Sequence, residues 1–125
     1  MSIKVYEYAN CSTCKKALKF LDSKKVTYTK IAIVDQPPTE TELKKMLQIL
    51  KAEGKSIKNL FNTSGQLYRE MNMSEKLKTD VSEAELIKLL AQHGKLIKRP
   101  FIIANSTGTV GFNEDEWKKL VKQLN

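Results

Sequence analysis

Cys11-Ser12-Thr13-Cys14 stands between an apolar run, Ile3-Lys4-Val5-Tyr6-Glu7-Tyr8, and an amphipathic stretch from Lys15 to Leu21, and the chain has no other cysteine. This setting is restrictive. A strand that runs into a CxxC opening a helix puts both sulfurs where unpaired backbone N–H groups and the positive end of the helix dipole converge. Those features favour a thiolate, so the segment reads as a thiol–disulfide site and not as two small core residues.

The rest of the chain must fold around that strand and helix. Ile3 to Tyr8 is the first strand, and the first helix runs from about Ser12 to Lys24 with Ala17, Leu18 and Leu21 on one face. Thr27 to Val34 is rich in β-branched residues and reads as a second strand, after which Gln36-Pro37-Pro38 breaks the chain. Thr39-Glu40-Thr41-Glu42 is a capping box for a second helix with Leu43, Met46, Leu47 and Leu50 on its apolar face and Gly54 at its end. Ile57 to Phe61 is a helical turn, Asn62-Thr63-Ser64-Gly65 a loop, and Leu67 to Met73 a short helix. Ser82-Glu83-Ala84-Glu85 is a second capping box, opening a helix with Leu86, Leu89 and Leu90 that closes at His93-Gly94. Phe101 to Ala104 and Thr109 to Phe112 are strands joined by Ser106-Thr107-Gly108, and Asn113-Glu114-Asp115-Glu116 caps a last helix carrying Trp117, Leu120, Val121 and Leu124.

The order is βαβ, a helical block, ββ, then α. The first unit predicts a right-handed parallel crossover and the last two strands an antiparallel pair. An α/β fold with a mixed sheet of about four strands, helices on both faces and a helical insert between the halves satisfies both. This is a thioredoxin-like arrangement, expected as one domain over residues 1–125 with the insert at about 39–95.

Composition narrows the function. Hydrophobic residues are 41% and charged residues 29%, as in a folded globular chain. No apolar run approaches the roughly 20 residues of a membrane helix, and the first residues lack a signal-peptide core. The expected location is the cytoplasm, where a CxxC is held mostly reduced and serves catalysis or redox sensing more often than structure. Lysine and arginine number 22 against 14 aspartate and glutamate, a net charge of +8. The lysines are scattered along solvent faces without interleaved aromatics, so no sequence-specific nucleic-acid binding is expected.

Within the CxxC, Cys11 sits at the helix start and is the expected nucleophile. Cys14, one turn on, is the more buried resolving thiol, and the pair is expected to cycle between dithiol and disulfide. Ser12 and Thr13, between the cysteines, are expected at the substrate face. Structural zinc needs four ligands, whereas two cysteines and His93 are the candidates here, so no metal and no bound cofactor is expected. Pro100 cannot donate to a sheet ladder and belongs at the first position of its strand. In a thioredoxin-like sheet that position holds a cis-proline facing the thiol, which would bring Arg99 near Cys11 to stabilise a thiolate or hold an anionic substrate. The small polar loop from Asn62 to Gly65, with Tyr68 and Arg69, is a weaker candidate for binding an oxyanion or a peptide backbone, since any turn uses such residues.

Tyr8-Ala9-Asn10-Cys11-Ser12-Thr13-Cys14-Lys15-Lys16-Ala17, Pro37-Pro38-Thr39, Leu60-Phe61-Asn62-Thr63-Ser64-Gly65, Leu96-Ile97-Lys98-Arg99-Pro100 and Val110-Gly111-Phe112-Asn113-Glu114 together resemble the arsenate reductase ArsC/Spx family over essentially the whole chain. The resemblance implies two kinds of activity. Glutaredoxin-linked arsenate reductases carry one nucleophilic cysteine, matching Cys11, and three arginines around the oxyanion. Arg99 matches one of these, Asn62 stands at the second, and the segment around Asn113 has no arginine for the third. Spx-type regulators carry a CxxC switch, matching Cys11 and Cys14, and bind the C-terminal domain of the RNA polymerase α subunit; they usually extend into a basic tail. The resemblance thus points to dithiol chemistry, with thioredoxin, glutaredoxin or glutathione as reductant, or with RNA polymerase as the partner of a switch.

Overall fold

Period-two alternation along short strands sets the layers of the molecule, a computed structural model that describes residues 3–124. In β1 (Lys4–Glu7), Val5 and Tyr6 are both buried but join different cores on opposite faces. In β3 (Phe101–Ile103), Phe101 and Ile103 pack with Tyr6 while Ile102 packs with Val5. β2 (Thr29–Ala32) lies parallel to β1 with Lys4 opposite Thr29. β3 runs antiparallel to β1 with Val5 opposite Ile102, and β4 (Gly108–Val110) runs antiparallel to β3. The result is a mixed four-stranded sheet in the order β2-β1-β3-β4.

Helices cover both faces. α1 (Ser12–Ser23) and α6 (Glu114–Leu124) bury Ala17, Phe20, Leu21, Trp117, Leu120 and Val121 against one side. α2 (Glu40–Ala52) and α5 (Glu83–Gln92) bury Leu43, Met46, Leu47, Leu50, Leu86, Ile87 and Leu90 with the other side. The short helices α3 (Gln66–Glu70) and α4 (Met73–Lys76) complete that second layer. The capping box of α2 is fully formed: Thr39 Oγ1 accepts from the Glu42 N–H at 3.1 Å and Glu42 accepts from the Thr39 N–H at 3.1 Å.

Several elements differ from their sequence reading, each for a local reason. β1 stops at Glu7 because the Tyr8 carbonyl accepts from Cys11 N–H at 3.1 Å, which turns the chain into α1. β2, its partner, is correspondingly short. The expected single helix at Leu67 to Met73 is two, because Asn72 adopts a left-handed φ of 53°. β4 ends before Phe112 because Gly111 has φ +73°. Ser82 Oγ caps α5 by accepting from Glu85 N–H at 3.2 Å, with no reciprocal bond from Glu85. Gly94 does not stop a helix through its own conformation. His93 is the C-cap, and Gly94 is buried in a 3₁₀ turn where a Cβ would run into the Ile33 carbonyl.

Candidate functional site

Cys11 is the N-cap of α1, with extended backbone, and its sulfur accepts from the Cys14 N–H at 3.3 Å. A helix start leaves its first N–H groups without backbone partners, and here the thiol occupies the place usually taken by a serine or aspartate oxygen. The first turn of α1 contains no acidic residue, unlike those of α2, α5 and α6. No carboxylate on that turn therefore opposes a negative sulfur at position 11. Both cysteines are free thiols, so the structure holds the dithiol form and no disulfide.

The two sulfurs have unequal surroundings. Cys11 is half-exposed, whereas Cys14 is 1% exposed. Burial, chiefly, and then the hydrogen bond and charge of Cys11 push the Cys14 thiol up to about 12, against the opposing pull of the Tyr8 backbone and the Arg99 charge. Burial, the largest of these influences, belongs to the fold around Cys14.

Cys11 opens onto a cleft of about 490 Å³ lined also by Thr13, Asn62, Ser64, Arg99 and residues 110–113. Arg99 packs its guanidinium over the Tyr8 ring, 4.5 Å from the centroid, which holds it beside the turn that leads into Cys11. The Arg99–Pro100 peptide is cis, and Pro100 is buried directly before β3. The Asn62 loop is tied to the same place: Asn62 N–H donates to the Leu96 carbonyl at 2.7 Å, and Lys98 N–H donates to Leu60 at 2.8 Å.

Of the residues expected at the site from sequence, the structure brings Cys11, Thr13, Asn62 and Arg99 together around one cleft, with Cys14 beneath Cys11. Ser12 is exposed and, like Pro100, is not among the cleft-lining residues. Tyr68 belongs to the core, edge-on to Phe61, and Arg69 donates to the Ser64 carbonyl at 3.2 Å from outside the cleft. Sequence reasoning missed Lys55, Lys98 and Glu116, which also line the cleft. Lys98 had a signal, since it adjoins Arg99-Pro100; Lys55 and Glu116 come from distant elements and had none. Among the described residues no group of three or more His, Cys, Asp or Glu side chains converges on a possible metal position, and no helix is long and apolar enough to cross a membrane.

Sheet order, helix placement and a CxxC at the start of α1 define a thioredoxin-like protein with a dithiol motif at its first strand–helix junction. The chain belongs to the ArsC family, whose profile matches residues 6–120. An ArsC family related protein from Bacteroides fragilis superposes with a TM-score of 0.87 at 43% identity, covering 96% of this chain and 98% of its own. The uncharacterized protein YusI of Bacillus subtilis is 43% identical over 95% of this chain and 98% of its own length. The global transcriptional regulator Spx 2 of Bacillus anthracis is 27% identical over 94% of this chain and 85% of its own.

Proposed function

We propose that the chain works as a single cytoplasmic domain and a thiol–disulfide oxidoreductase, with Cys11 as nucleophile and Cys14 as resolving thiol. The observation that carries this is the asymmetry of the pair: a half-exposed sulfur at a helix N-cap, above a buried thiol that stays protonated. The Cys11 thiolate attacks one sulfur of a disulfide, the S–S bond breaks, and one thiolate leaves to take up a proton. Cys14 then loses its proton to solvent and attacks the Cys11 sulfur, which releases the second thiolate and leaves a Cys11–Cys14 disulfide. Two electrons pass from the protein to the substrate, and thioredoxin, glutaredoxin or glutathione restores the dithiol. Arg99 tunes the Cys11 environment, and Pro100, buried behind the cleft lining, carries the chain from Arg99 into β3.

Cysteine exchange tests the assignment. Cys11→Ser is expected to abolish reaction with disulfides, and Cys14→Ser to accumulate a mixed disulfide on Cys11, read by intact-mass spectrometry. Trapping by Cys11→Ser in place of Cys14→Ser would reverse the roles.

A second reading is a redox-switched regulator of the Spx type, supported by the similarity to Spx 2 along nearly the whole chain and by the CxxC. Its test is capture of the RNA polymerase α C-terminal domain by the reduced and the oxidised protein. Absence of binding in both states dismisses it. Binding in one state, with no exchange activity, replaces the first reading.

A further inference from the structure

The cleft beside Cys11 carries more positive charge than the site residues found from sequence account for. Lys55 pairs with Glu116 across it at 3.2 Å and with Glu53 at 3.8 Å, so it adds no free positive charge to the cleft. Lys98 and Arg99 remain, and neither enters an ion pair among the described residues. Both side chains are set in place by neighbours. Arg99 lies over the Tyr8 ring. Lys98 lies over Gly111, where a Cβ would come within 2.9 Å of its Cε.

Gly111 is held by two hydrogen bonds. Gly111 N–H donates to the Pro100 carbonyl at 2.8 Å, and the Gly111 carbonyl accepts from the indole Nε1 of fully buried Trp117 at 2.9 Å. The φ of +73° at Gly111 is one that L side chains rarely adopt, and a Cβ there would meet the outer end of the Lys98 side chain.

We propose that Lys98, seated on Gly111 beside Arg99, is a specificity-determining residue that selects anionic disulfides, with small acidic thiols as the substrate class. This rests on the dithiol reading above. The cleft, at about 490 Å³, has room for a peptide-sized thiol, and its polar lining from Asn62, Ser64 and Thr13 suits an amide chain. The sulfur of such a molecule sits at Cys11 while its carboxylate meets the Lys98–Arg99 pair. The exchange follows the same course: the incoming S–S bond breaks, Cys11 and then Cys14 supply two electrons, and two small thiols leave. The two cations also draw the anion in, because clefts lined by one sign of charge concentrate ions of the other.

The test uses the reduced full-length protein and three probes in single turnover: oxidised glutathione (anionic), hydroxyethyl disulfide (neutral) and cystamine (cationic). Loss of free thiol is followed by intact-mass spectrometry. The anionic-to-cationic rate ratio, corrected for each disulfide's intrinsic rate with free cysteine, is expected to be about tenfold or more at low salt and to shrink as salt is added. Lys98→Gln is expected to cut that ratio about fivefold. Gly111→Ala, whose Cβ would meet the outer end of the Lys98 side chain and shift it, is expected to cut it in the same direction. A corrected ratio near one in the wild type, or a ratio unchanged by Lys98→Gln, overturns the inference and leaves the dithiol reading standing. No reaction with any of the three disulfides overturns the dithiol reading itself.

Discussion

Trp117→Phe is the sharpest probe of how the core builds the cleft. Trp117 is fully buried between Phe20 and Phe112, with ring centroids 6.4 Å and 5.2 Å away, both edge-on. Phenylalanine keeps one aromatic ring but loses the indole N–H, so the Gly111 carbonyl loses its 2.9 Å bond. A buried carbonyl stripped of its donor costs about 1–3 kcal/mol. The smaller ring leaves a gap of roughly 40 Å³, which adds about 1 kcal/mol at about 24 cal/mol per Å³. The expected loss is therefore about 3 kcal/mol, a large part of the roughly 5–15 kcal/mol that holds a domain of this size folded. Urea unfolding followed by circular dichroism measures it. With a slope near 1.5 kcal/mol per molar, the midpoint falls by about 2 M while the slope stays constant. The same variant should lower the preference for anionic disulfides, because Gly111 loses one of its two anchors. A loss under about 1 kcal/mol would refute the reasoning, since the indole bond would then not be what holds Gly111.

Two further stability predictions come from buried contacts. The Tyr6 hydroxyl donates to Glu42 at 2.7 Å and Lys4 pairs with the other oxygen at 3.1 Å. Burial alone would raise the Glu42 pKa, but the hydrogen bonds from Tyr6, the Thr39 N–H and Lys4 outweigh it and hold the carboxyl below its ordinary range. Tyr6→Phe should cost about 1.5–3 kcal/mol near neutral pH, the usual worth of a hydrogen bond to a charged group. A depressed carboxyl stabilises the fold above its unfolded pKa and loses that effect as pH falls through the folded one, so the gap to wild type should narrow between about pH 5 and about pH 3. A gap that stays constant in parallel thermal melts would remove Glu42 from the account. Gly94→Ala drives a methyl group into the Ile33 backbone, which cannot swing aside as a side chain does. Soluble expression or stability should fall sharply, by about 3 kcal/mol or more, and a near-neutral melt would contradict the packing described.

How much of this was legible depended on whether a feature was local. The strand–helix placement of the CxxC, the Thr39 capping box and most of the α1 apolar stripe are each written within a dozen residues and were legible; the stripe also takes in Phe20, while Leu18 lies at its half-buried edge. The parallel pairing of the first two strands and the antiparallel pairing of the last two followed from connection rules, whereas the order β2-β1-β3-β4 needed the structure. α5 does close at His93-Gly94, but the reasons for glycine at 94 and 111 were not legible, because they are tertiary. One admits the Ile33 backbone from a distant segment, and at the other a Cβ would meet the outer end of the Lys98 side chain. The ends of β1 and β2 were overextended for a related reason: strand length there is set by where Tyr8 turns into α1, while β-propensity runs on past that point. Asn62 was placed beside the thiol through its motif, yet the neutralising Lys55–Glu116 pair was invisible, since those residues are far apart in sequence and meet only at the cleft.

The donor set of the cleft also bears on which anion it serves. Where the resemblance implies three guanidinium groups around an oxyanion, Arg99 is the one arginine lining the cleft; Asn62 and Asn113 are neutral, and Lys55 is paired with Glu116 and Glu53. A tetrahedral oxyanion with two charges gives up its hydration on entering such a pocket and needs several converging charged donors to replace it. A carboxylate at the end of a flexible thiol keeps part of its water and is served by one or two cations at the rim. Cleft charge and the CxxC therefore favour the same chemistry, in which sulfur reacts with sulfur and the anion only orients. Arsenate or phosphate at millimolar concentration is accordingly expected to slow reaction with oxidised glutathione no more than sodium chloride at matched ionic strength. Competition that survives the ionic-strength control in wild type and disappears in Arg99→Gln would overturn this, because it would mean that one arginine and a lysine suffice to hold the oxyanion against Cys11.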